Sequence, residues 1–343
     1  MRDLVYVYPK QGMKFVDIPE PEVSKPNEVK IKIEYAAICG SDIHIVNGSF
    51  DYQFRGLGFP EGASYSVGHE AAGTVVAVGD EVTVCKVGDK VTFNSVRACG
   101  KCHYCRNGQE NLCENQATGF GGMRDYALVP EDIVFVLPEN VDTKLGCLSE
   151  PTSVAMACVD EADIKPGQSV AIIGAGPIGM LALQIARQQG AYPITVFDIT
   201  DEKLAIAKKL GADYTVNSLK EDAGKTAIFL NNNKCYEKVL ECSGSTKVLD
   251  MAMEIVAKGG HIVVTSAYPE GAHYDMNLEL FFGKCLTMSQ TYCSADMFER
   301  SVNFLNRIDV DNTITAVYPL DQYEEGFKAH LSGKHVKVVF KVD

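Results

Sequence analysis

Four cysteines lie close together in the segment CGKCHYCRNGQENLC, at positions Cys99, Cys102, Cys105 and Cys113. Thiolates with this C-x2-C-x2-C-x7-C spacing can fill a tetrahedral zinc shell, and a shell of four protein ligands leaves no coordination position for a substrate. An iron–sulfur cluster is the alternative that the spacing leaves open, and its colour would reveal it. The spacing therefore predicts a closed, structural zinc site rather than a reactive centre.

A metal centre that performs chemistry must then lie elsewhere in the chain. Metal-competent and proton-carrying side chains occur in ICGSDIHIVNG, SVGHEAAG and LSEPTS, which contain Cys39, Ser41, Asp42, His44, His69, Glu70 and Glu150. One thiolate, one imidazole and carboxylates can hold zinc and still leave a position for water or an alcohol. Taken singly, His69 is well explained as a packed or surface histidine, and Glu150 as a carboxylate at the start of a helix. Their combination favours a second, open zinc site.

The segment GAGPIG has the G-x-G-x-x-G spacing of a dinucleotide-binding loop. Its positions are Gly174, Gly176, Pro177, Ile178 and Gly179. Such glycines permit a tight turn, a close approach of the backbone to a pyrophosphate, and close packing of helix on strand. The loop follows the strand-like SVAIIGA and opens a helix-like segment, which is the context that the mechanism requires.

Asp198 ends the next predicted strand, ITVFDI, 24 residues after Gly174. A carboxylate at this place accepts hydrogen bonds from the adenosine ribose hydroxyls and repels a 2′-phosphate. The sequence therefore predicts NAD rather than NADP as the cofactor. The alternative is a packing loop followed by a solvated aspartate.

The elements that must position these residues fall into two kinds of domain. Up to residue 150 the chain is β-rich: EVKIKIEYAAI alternates like a strand, and AAGTVVAVGDEVTVCKVGDKVTF is rich in valine and turn signals. Strand-like and helix-like segments then alternate, through SVAIIGA, ITVFDI, KVLECSG and HIVVTSA, as in a doubly wound parallel sheet. We expect an α/β protein in which residues 1–150, completed by 287–343, form a β-rich domain, and residues 151–286 form the parallel-sheet domain.

The composition limits the possible partners. The formal net charge of the 343 residues is −13, and no long basic stretch is present, so a nucleic-acid partner is disfavoured. The most apolar segment, residues 170–186, contains three glycines and a proline and is short for a membrane span. Twelve cysteines without a signal-peptide pattern indicate a reducing cytoplasm.

Several segments occur in the order that is typical of one family: CGSDIH, GHEAAGTVVAVG, VGDKV, the four-cysteine loop, EP and GAGPIG. With them the sequence resembles the zinc-dependent medium-chain dehydrogenase/reductase superfamily of alcohol, polyol and threonine dehydrogenases, over essentially the whole chain. The resemblance implies a GroES-like catalytic domain around a Rossmann NAD domain. It also implies two zinc ions per chain, an alcohol or ketone substrate that exchanges a hydride with NAD, and a homotetramer or homodimer.

The resemblance further implies which residues hold the catalytic zinc. Cys39, His69 and Glu150 would be ligands. Glu70 would be either a fourth ligand or a partner that exchanges with water or substrate. Neighbours on a regular strand face opposite ways, so His69 and Glu70 can ligate together only if the backbone bends there.

Other residues receive supporting roles by the same resemblance. Asp42 would accept a hydrogen bond from the imidazole of His69. Ser41, the cofactor ribose and His44 would pass the alcohol proton to solvent. Lys203, five residues after Asp198, would contact the adenosine ribose.

Departures from the commonest family pattern bear on the substrate. Glu150 stands before a proline where many classical alcohol dehydrogenases carry cysteine, which favours the polyol and threonine branches. The threonine branch usually carries a tryptophan-containing segment after its histidine, and this chain has no tryptophan. Arg124 and Asp125 replace a common small or apolar residue and a glutamate. Arg55 could bind an anionic substrate, although a solvated loop arginine explains it better.

Together these features predict a zinc- and NAD-dependent dehydrogenase of a secondary alcohol, in the first place a polyol or sugar alcohol. L-Threonine or a polyol phosphate is the alternative substrate. Two other classes of protein remain as hypotheses. One is an inactive, zinc-stabilised scaffold, and the other is a zinc-free quinone reductase of the same superfamily, a branch that lacks both ligand sets.

Overall fold

A computed structural model gives the fold of residues 1–49, 60–268, 270–292 and 297–343. A small antiparallel sheet contains β1 (Arg2–Val7), β2 (Met13–Asp17) and β4 (Ser64–Ser66), in the order β2-β1-β4. A seven-stranded sheet contains β3 (Glu28–Ala37), β5 (Glu70–Val78), β6 (Lys90–Phe93), β7 (Tyr126–Pro130), β8 (Val134–Val136), β15 (Ile314–Pro319) and β16 (Lys337–Lys341). Short helices α1 (Gly40–Val46), α2 (His103–Arg106) and α3 (Thr143–Gly146) accompany these sheets.

The C-terminal strands complete the β-rich part of the molecule. The seven-stranded sheet runs β15-β16-β3-β5-β6-β8, with β7 also paired to β3. Strand β16 is antiparallel to β3, with Val339 opposite Ala37, and β3 is antiparallel to β5. The end of the chain therefore lies next to β3 and one strand away from β5, the two strands that deliver the candidate zinc ligands.

The middle of the chain forms a six-stranded parallel sheet with helices. Its strands are β9 (Val170–Ile173), β10 (Ile194–Asp198), β11 (Tyr214–Asn217), β12 (Tyr236–Glu241), β13 (Val256–Val264) and β14 (Thr287–Gln290), in the order β11-β10-β9-β12-β13-β14. The helices are α4 (Ser149–Ala162), α5 (Pro177–Gln188), α6 (Asp201–Lys209), α7 (Ala223–Leu230), α8 (Leu249–Ile255) and α9 (Leu278–Gly283). Helices α10 (Phe298–Phe304), α11 (Val310–Thr313) and α12 (Tyr323–Leu331) follow. The strand order reverses between β9 and β12, and dinucleotides bind in the crevice at such a reversal.

The structure differs from the sequence-based expectation at three places. Strand β11 and helix α7 were not identified, because a strand of four residues carries too little periodicity to stand out. Strand β13 begins at Val256, five residues before the strand-like segment HIVVTSA that starts at His261. Strand β14 lies beyond the boundary expected at residue 286: it pairs with β13, His261 opposite Thr287, so the parallel sheet extends to Gln290.

A shared core joins the two parts of the molecule along α4. One apolar cluster contains Ala37 and Ala72 of the seven-stranded sheet, Ala155 and Val159 of α4, and Ile172 of β9, all buried. Helix α4 also packs against β12 and β13. The first turn of α4, which carries Glu150, is thereby held where the two domains meet. No helix within the described ranges is long and apolar enough to span a lipid bilayer.

Candidate active site and metal centres

The four cysteines predicted to bind structural zinc come together in one lobe. Their sulfur atoms all lie within 4.8 Å of one another. The Sγ of Cys105 is 3.5 Å from that of Cys102 and 4.0 Å from that of Cys99. Tetrahedral zinc with Zn–S bonds of ~2.3 Å places its sulfurs about 3.8 Å apart, so the four side chains fit a zinc ion.

Backbone amides of this lobe favour the thiolate form. The N–H of Cys99 donates to Cys113 Sγ at 3.2 Å, and the N–H of Cys102 donates to Cys99 Sγ at 3.3 Å. The N–H groups of Lys101 and Cys102 lower the pKa of Cys99 to about 6. Desolvation and the neighbouring thiols raise the pKa of Cys105. Crowded thiols cannot all ionise by themselves, and a divalent cation removes that conflict.

Cys39, His69 and Glu70 form a second group, here called the open group, whose ligand atoms also lie within 4.8 Å of one another. Cys39 lies between β3 and α1, and Glu70 opens β5 opposite Ala37 of β3. Gly68 has a φ of +86°, which L side chains rarely adopt, and so the chain turns immediately before His69. His69 itself lies in the bend before β5 begins at Glu70, so the two residues are not neighbours on a regular strand.

Asp42 contacts two members of the open group, Cys39 and His69. Its buried carboxylate accepts a hydrogen bond from the Cys39 N–H at 2.9 Å and lies 3.4 Å from Nδ1 of His69. Burial raises the pKa of Asp42, but His69 and the Cys39 N–H outweigh burial and hold that pKa below its usual value. Conversely, burial lowers the pKa of His69, and Asp42 and Cys39 raise it well above its usual value. With Nδ1 directed at Asp42, Nε2 of His69 is the nitrogen available as a metal ligand.

Lys337 is a member of this site that the sequence analysis missed. Its Nζ contacts both carboxylate oxygens of Glu70, at 2.7 Å for Oε1, and each side chain is only 1% exposed. Burial lowers the pKa of Lys337, but Glu70 and Cys39 raise it above the usual value, so the ammonium stays charged. A signal was present in HVKVVF, where a lysine occupies a buried position of an apolar strand.

Glu150 stands beside the open group rather than within it. Its carboxylate is not among the ligand atoms that lie within 4.8 Å of one another in the described ranges. Burial raises the pKa of Glu150 to about 7, while nearby His69 lowers it and Glu70 raises it. A buried carboxyl with a raised pKa gains from a cation close by. The structure thus gathers Cys39, His69 and Glu70 and leaves Glu150 as a neighbour.

The glycine loop joins β9 to α5 at the dinucleotide crevice. Gly174 has a φ of +103°, and a Cβ there would lie 2.9 Å from backbone atoms of the loop after β12. A Cβ at Gly179 would lie 1.9 Å from the carbonyl oxygen of Gly174. Space is open around Gly176, directly before Pro177 and Ile178 in the first turn of α5. A pyrophosphate can approach the backbone N–H groups of such a helix start.

Asp198 is held against the glycine loop. One carboxylate oxygen accepts the N–H of Ala175 at 2.8 Å, and the other accepts the N–H of Ile199 at 2.8 Å. The carboxylate therefore sits at the end of β10, beside the loop, where an adenosine ribose is expected.

His330 of α12 is influenced by charged residues of both domains. Burial is the main cause that lowers the pKa of His330 to about 4; Lys337 and Lys203 act in the same direction and Asp42 opposes them. Lys203 belongs to α6 of the parallel-sheet domain, whereas Asp42 and Lys337 belong to the open group's surroundings. One imidazole is therefore within electrostatic reach of both regions.

Helix α1 carries the two residues expected to move the substrate proton. Ser41 and His44 are both partly buried. Burial lowers the pKa of His44, so its imidazole is largely neutral near pH 7 and able to accept a proton.

Two of the residues that depart from the commonest family pattern form ion pairs within the protein. Arg124 Nη2 lies 2.9 Å from Asp3 Oδ2, so the charge of this arginine is neutralised within the protein. Asp125 is likewise paired with Arg2, at 2.9 Å. Arg55 lies outside the described residues.

Both domains have counterparts in known proteins. Residues 25–139 match the alcohol dehydrogenase GroES-like domain, and residues 177–307 match the zinc-binding dehydrogenase domain. An L-threonine 3-dehydrogenase from Pyrococcus abyssi is 34% identical over 338 residues, 95% of this chain and 93% of that protein. A zinc-binding dehydrogenase from Clostridium scindens has a TM-score of 0.91 and 33% identity, over 99% of both chains. One from Sinorhizobium meliloti, bound to NADP, has a TM-score of 0.89 and 27% identity, over 99% of this chain and 98% of that one.

Proposed function

The chain belongs to the zinc-binding, medium-chain dehydrogenase family, and from this premise we propose that it oxidises a secondary alcohol, a polyol or sugar alcohol, with NAD as hydride acceptor. The observation that carries the proposal is the contrast between its two metal-competent groups. Four cysteines form one group that would leave zinc no free position. Cys39, His69 and Glu70 form the other, which offers three protein ligands and one position for substrate.

We assign the catalytic zinc to the open group, with Glu150 at its side. Zinc held there supplies a Lewis acid that polarises the substrate oxygen. Asp42 orients the imidazole of His69 through Nδ1. Lys337 holds the carboxylate of Glu70 and limits how freely it can move toward the metal position.

The substrate proton would leave through α1. Ser41 lies two residues after the ligand Cys39, and His44 follows one turn of helix later. Because burial lowers the pKa of His44, its neutral imidazole accepts a proton near pH 7 and can release it to solvent.

We further propose that the protein prefers NAD to NADP and that Asp198 is responsible for this preference. The support is the carboxylate held beside the glycine loop, where it would repel a 2′-phosphate. Asp198→Ser combined with Ile199→Arg should raise kcat/KM for NADP relative to NAD. Wild-type protein that uses both cofactors equally well would contradict the assignment, and the NADP-bound relative makes this comparison worth measuring first.

An uncharged polyol is the first candidate, because Glu150 precedes a proline, the feature that favours the polyol and threonine branches. L-Threonine is the second candidate, since the relative from Pyrococcus abyssi carries that name and the threonine 3-hydroxyl is also a secondary alcohol. Zinc-loaded protein should be assayed with NAD on sugar alcohols, vicinal diols, polyol phosphates and L-threonine. We expect the highest kcat/KM among the sugar alcohols and diols. A preference for L-threonine would support the second candidate, and NADH binding without turnover on any substrate would support the inactive scaffold.

The proposal includes a homodimer or homotetramer in a reducing cytoplasm. Exposed apolar side chains on α9, Leu278 at 69% and Phe282 at 84%, precede the edge strand β14 and would be covered in an oligomer. The free thiols of the four-cysteine lobe require reducing conditions to remain available for zinc. Sedimentation velocity tests the oligomer, and a monomer at all concentrations would contradict it.

A further inference from the structure

A buried carboxylate at the end of β12 gathers the loop that follows. Glu241 is fully buried, and its Oε1 accepts hydrogen bonds from the N–H and Oγ–H of Ser243 at 2.7 and 2.5 Å and from the N–H of Gly244 at 3.1 Å. Its Oε2 accepts the phenol O–H of Tyr268 at 2.8 Å. One carboxylate therefore fixes the loop after β12, residues 242–245, and ties it to the segment after β13.

This loop lies at the reversal of strand order. Strand β12 pairs with β9, the strand that leads into the glycine loop. The backbone of Ser243 is so close to Gly174 that a Cβ on this glycine would come within 2.9 Å of Ser243 N. The backbone carbonyl of Glu241 also accepts the N–H of Thr265, directly after β13, at 3.0 Å. The loop after β12 thus forms part of the crevice wall, in contact with the glycine loop.

The order of the strands indicates which half of a dinucleotide this wall would face. Asp198, at the end of β10, lies on one side of β9 and is the candidate partner of the adenosine ribose. The pyrophosphate is expected at the start of α5, directly after β9. The nicotinamide half must then extend to the other side of β9, over the ends of β12 and β13. Those are the ends that Glu241 and Tyr268 tie together.

We propose that Glu241 and Tyr268 are positioning residues for the nicotinamide half of the cofactor, acting through the loop at residues 242–245. The inference rests on the proposed function, because it takes NAD as the ligand of the crevice. Tyr268 is only partly buried, yet burial and the neighbouring Glu241 raise its pKa, so the phenol keeps its proton and remains a donor. Without this donor, Oε2 of Glu241 would lose its hydrogen bond to the segment after β13.

The test compares whole-cofactor binding with binding of its adenosine half. Tyr268→Phe removes only the hydroxyl, and the affinities for NADH and for ADP are measured without substrate, by NADH fluorescence and by calorimetry. We expect roughly tenfold weaker NADH binding, as for one lost hydrogen bond to a charged group. ADP should bind within about twofold of the wild type, since its site lies across β9. Glu241→Gln should shift the same ratio in the same direction.

Tyr274→Phe is the matched control. It removes a phenol that donates to Asp250 of α8 at 2.7 Å, in the same domain but not at a strand end. NADH and ADP affinities should both be unchanged in this variant. If Tyr268→Phe leaves NADH binding unchanged, or weakens NADH and ADP equally, the positioning role is wrong. Wild-type protein that binds no NADH would instead overturn the proposed function itself.

Discussion

The four-cysteine lobe and the open group offer similar ligands but are assembled in different ways. Cys99 and Cys113 delimit one short loop, and backbone N–H groups of that loop supply the charge stabilisation for its sulfurs. The open group draws Cys39, His69 and Glu70 from the ends of different elements, and it depends on the buried charges of its neighbours. In this protein the local group supplies all four ligands of a closed shell. The open group supplies three ligands, and the carboxylate of Glu70 is shared with Lys337.

The largest effect is expected where the open group loses its thiolate. Cys39→Ser should lower kcat/KM by roughly 10³- to 10⁴-fold, because a weaker ligand no longer holds the metal that polarises the substrate. Zinc content should fall from about two to about one ion per chain, with little change in melting temperature. Steady-state kinetics, elemental analysis and calorimetry check these three outcomes. Full zinc content together with full activity would mean that the catalytic metal lies elsewhere.

The opposite pattern is expected in the lobe. Cys102→Ser should reduce the free energy of unfolding by about 4 kcal/mol and remove one zinc ion, because metal binding at a closed site contributes directly to folding. The lobe also touches the segment after β14, where Asn111 donates to the carbonyl oxygen of Tyr292 at 3.1 Å, so its loss should loosen that contact. KM for the alcohol in the folded fraction should stay near the wild-type value. An unchanged unfolding midpoint with unchanged zinc content would contradict the structural assignment.

Removing the buried ammonium of Lys337 should show that the carboxylate of Glu70 is shared between this cation and the metal ion. Lys337→Met leaves the buried carboxylate of Glu70 without its partner and should cost about 3 kcal/mol of stability in metal-free protein. The loss should be smaller in zinc-loaded protein, since the metal ion can replace the missing charge. Lys341→Met is the control on the same strand: its side chain is 58% exposed, and its pair with Asp343 should contribute less than about 0.5 kcal/mol. Urea unfolding of both variants, with and without zinc, measures the four changes in the free energy of unfolding. An equal loss for Lys337→Met with and without zinc would contradict the sharing of Glu70 between Lys337 and the metal ion.

The smallest effect is expected at Glu150, which stands beside the open group. Glu150→Gln should keep the catalytic zinc and lower kcat/KM by about 10- to 100-fold, as for a residue that acts on the metal through its neighbours. Zinc content and kcat/KM, measured on the same preparation of the variant, test this prediction. Loss of zinc together with a loss of activity as large as in Cys39→Ser would restore Glu150 as a direct ligand, as the family resemblance alone implies.

Local sequence patterns identified much of this protein. The four-cysteine spacing, the glycine loop and Asp198 each lie within a short stretch of chain, and the structure places them in the lobe and the crevice that those patterns favour. Alternation of strand-like and helix-like segments was enough to predict a parallel sheet. The same method overlooked β11 and β14, because short strands at the side of a sheet bury few residues and carry weak periodicity.

Only the tertiary structure decided which partners the functional side chains have. Lys337 and Glu70 are 267 positions apart in the sequence, and they meet because β16 pairs with β3 while β3 pairs with β5. Tyr268 reaches Glu241 only because β13 lies next to β12. No local pattern records such contacts, since strand pairing is chosen by the packing of the whole sheet. The sequence by itself therefore predicted which residues would bind zinc and NAD, and the fold determined which other charged residues they contact.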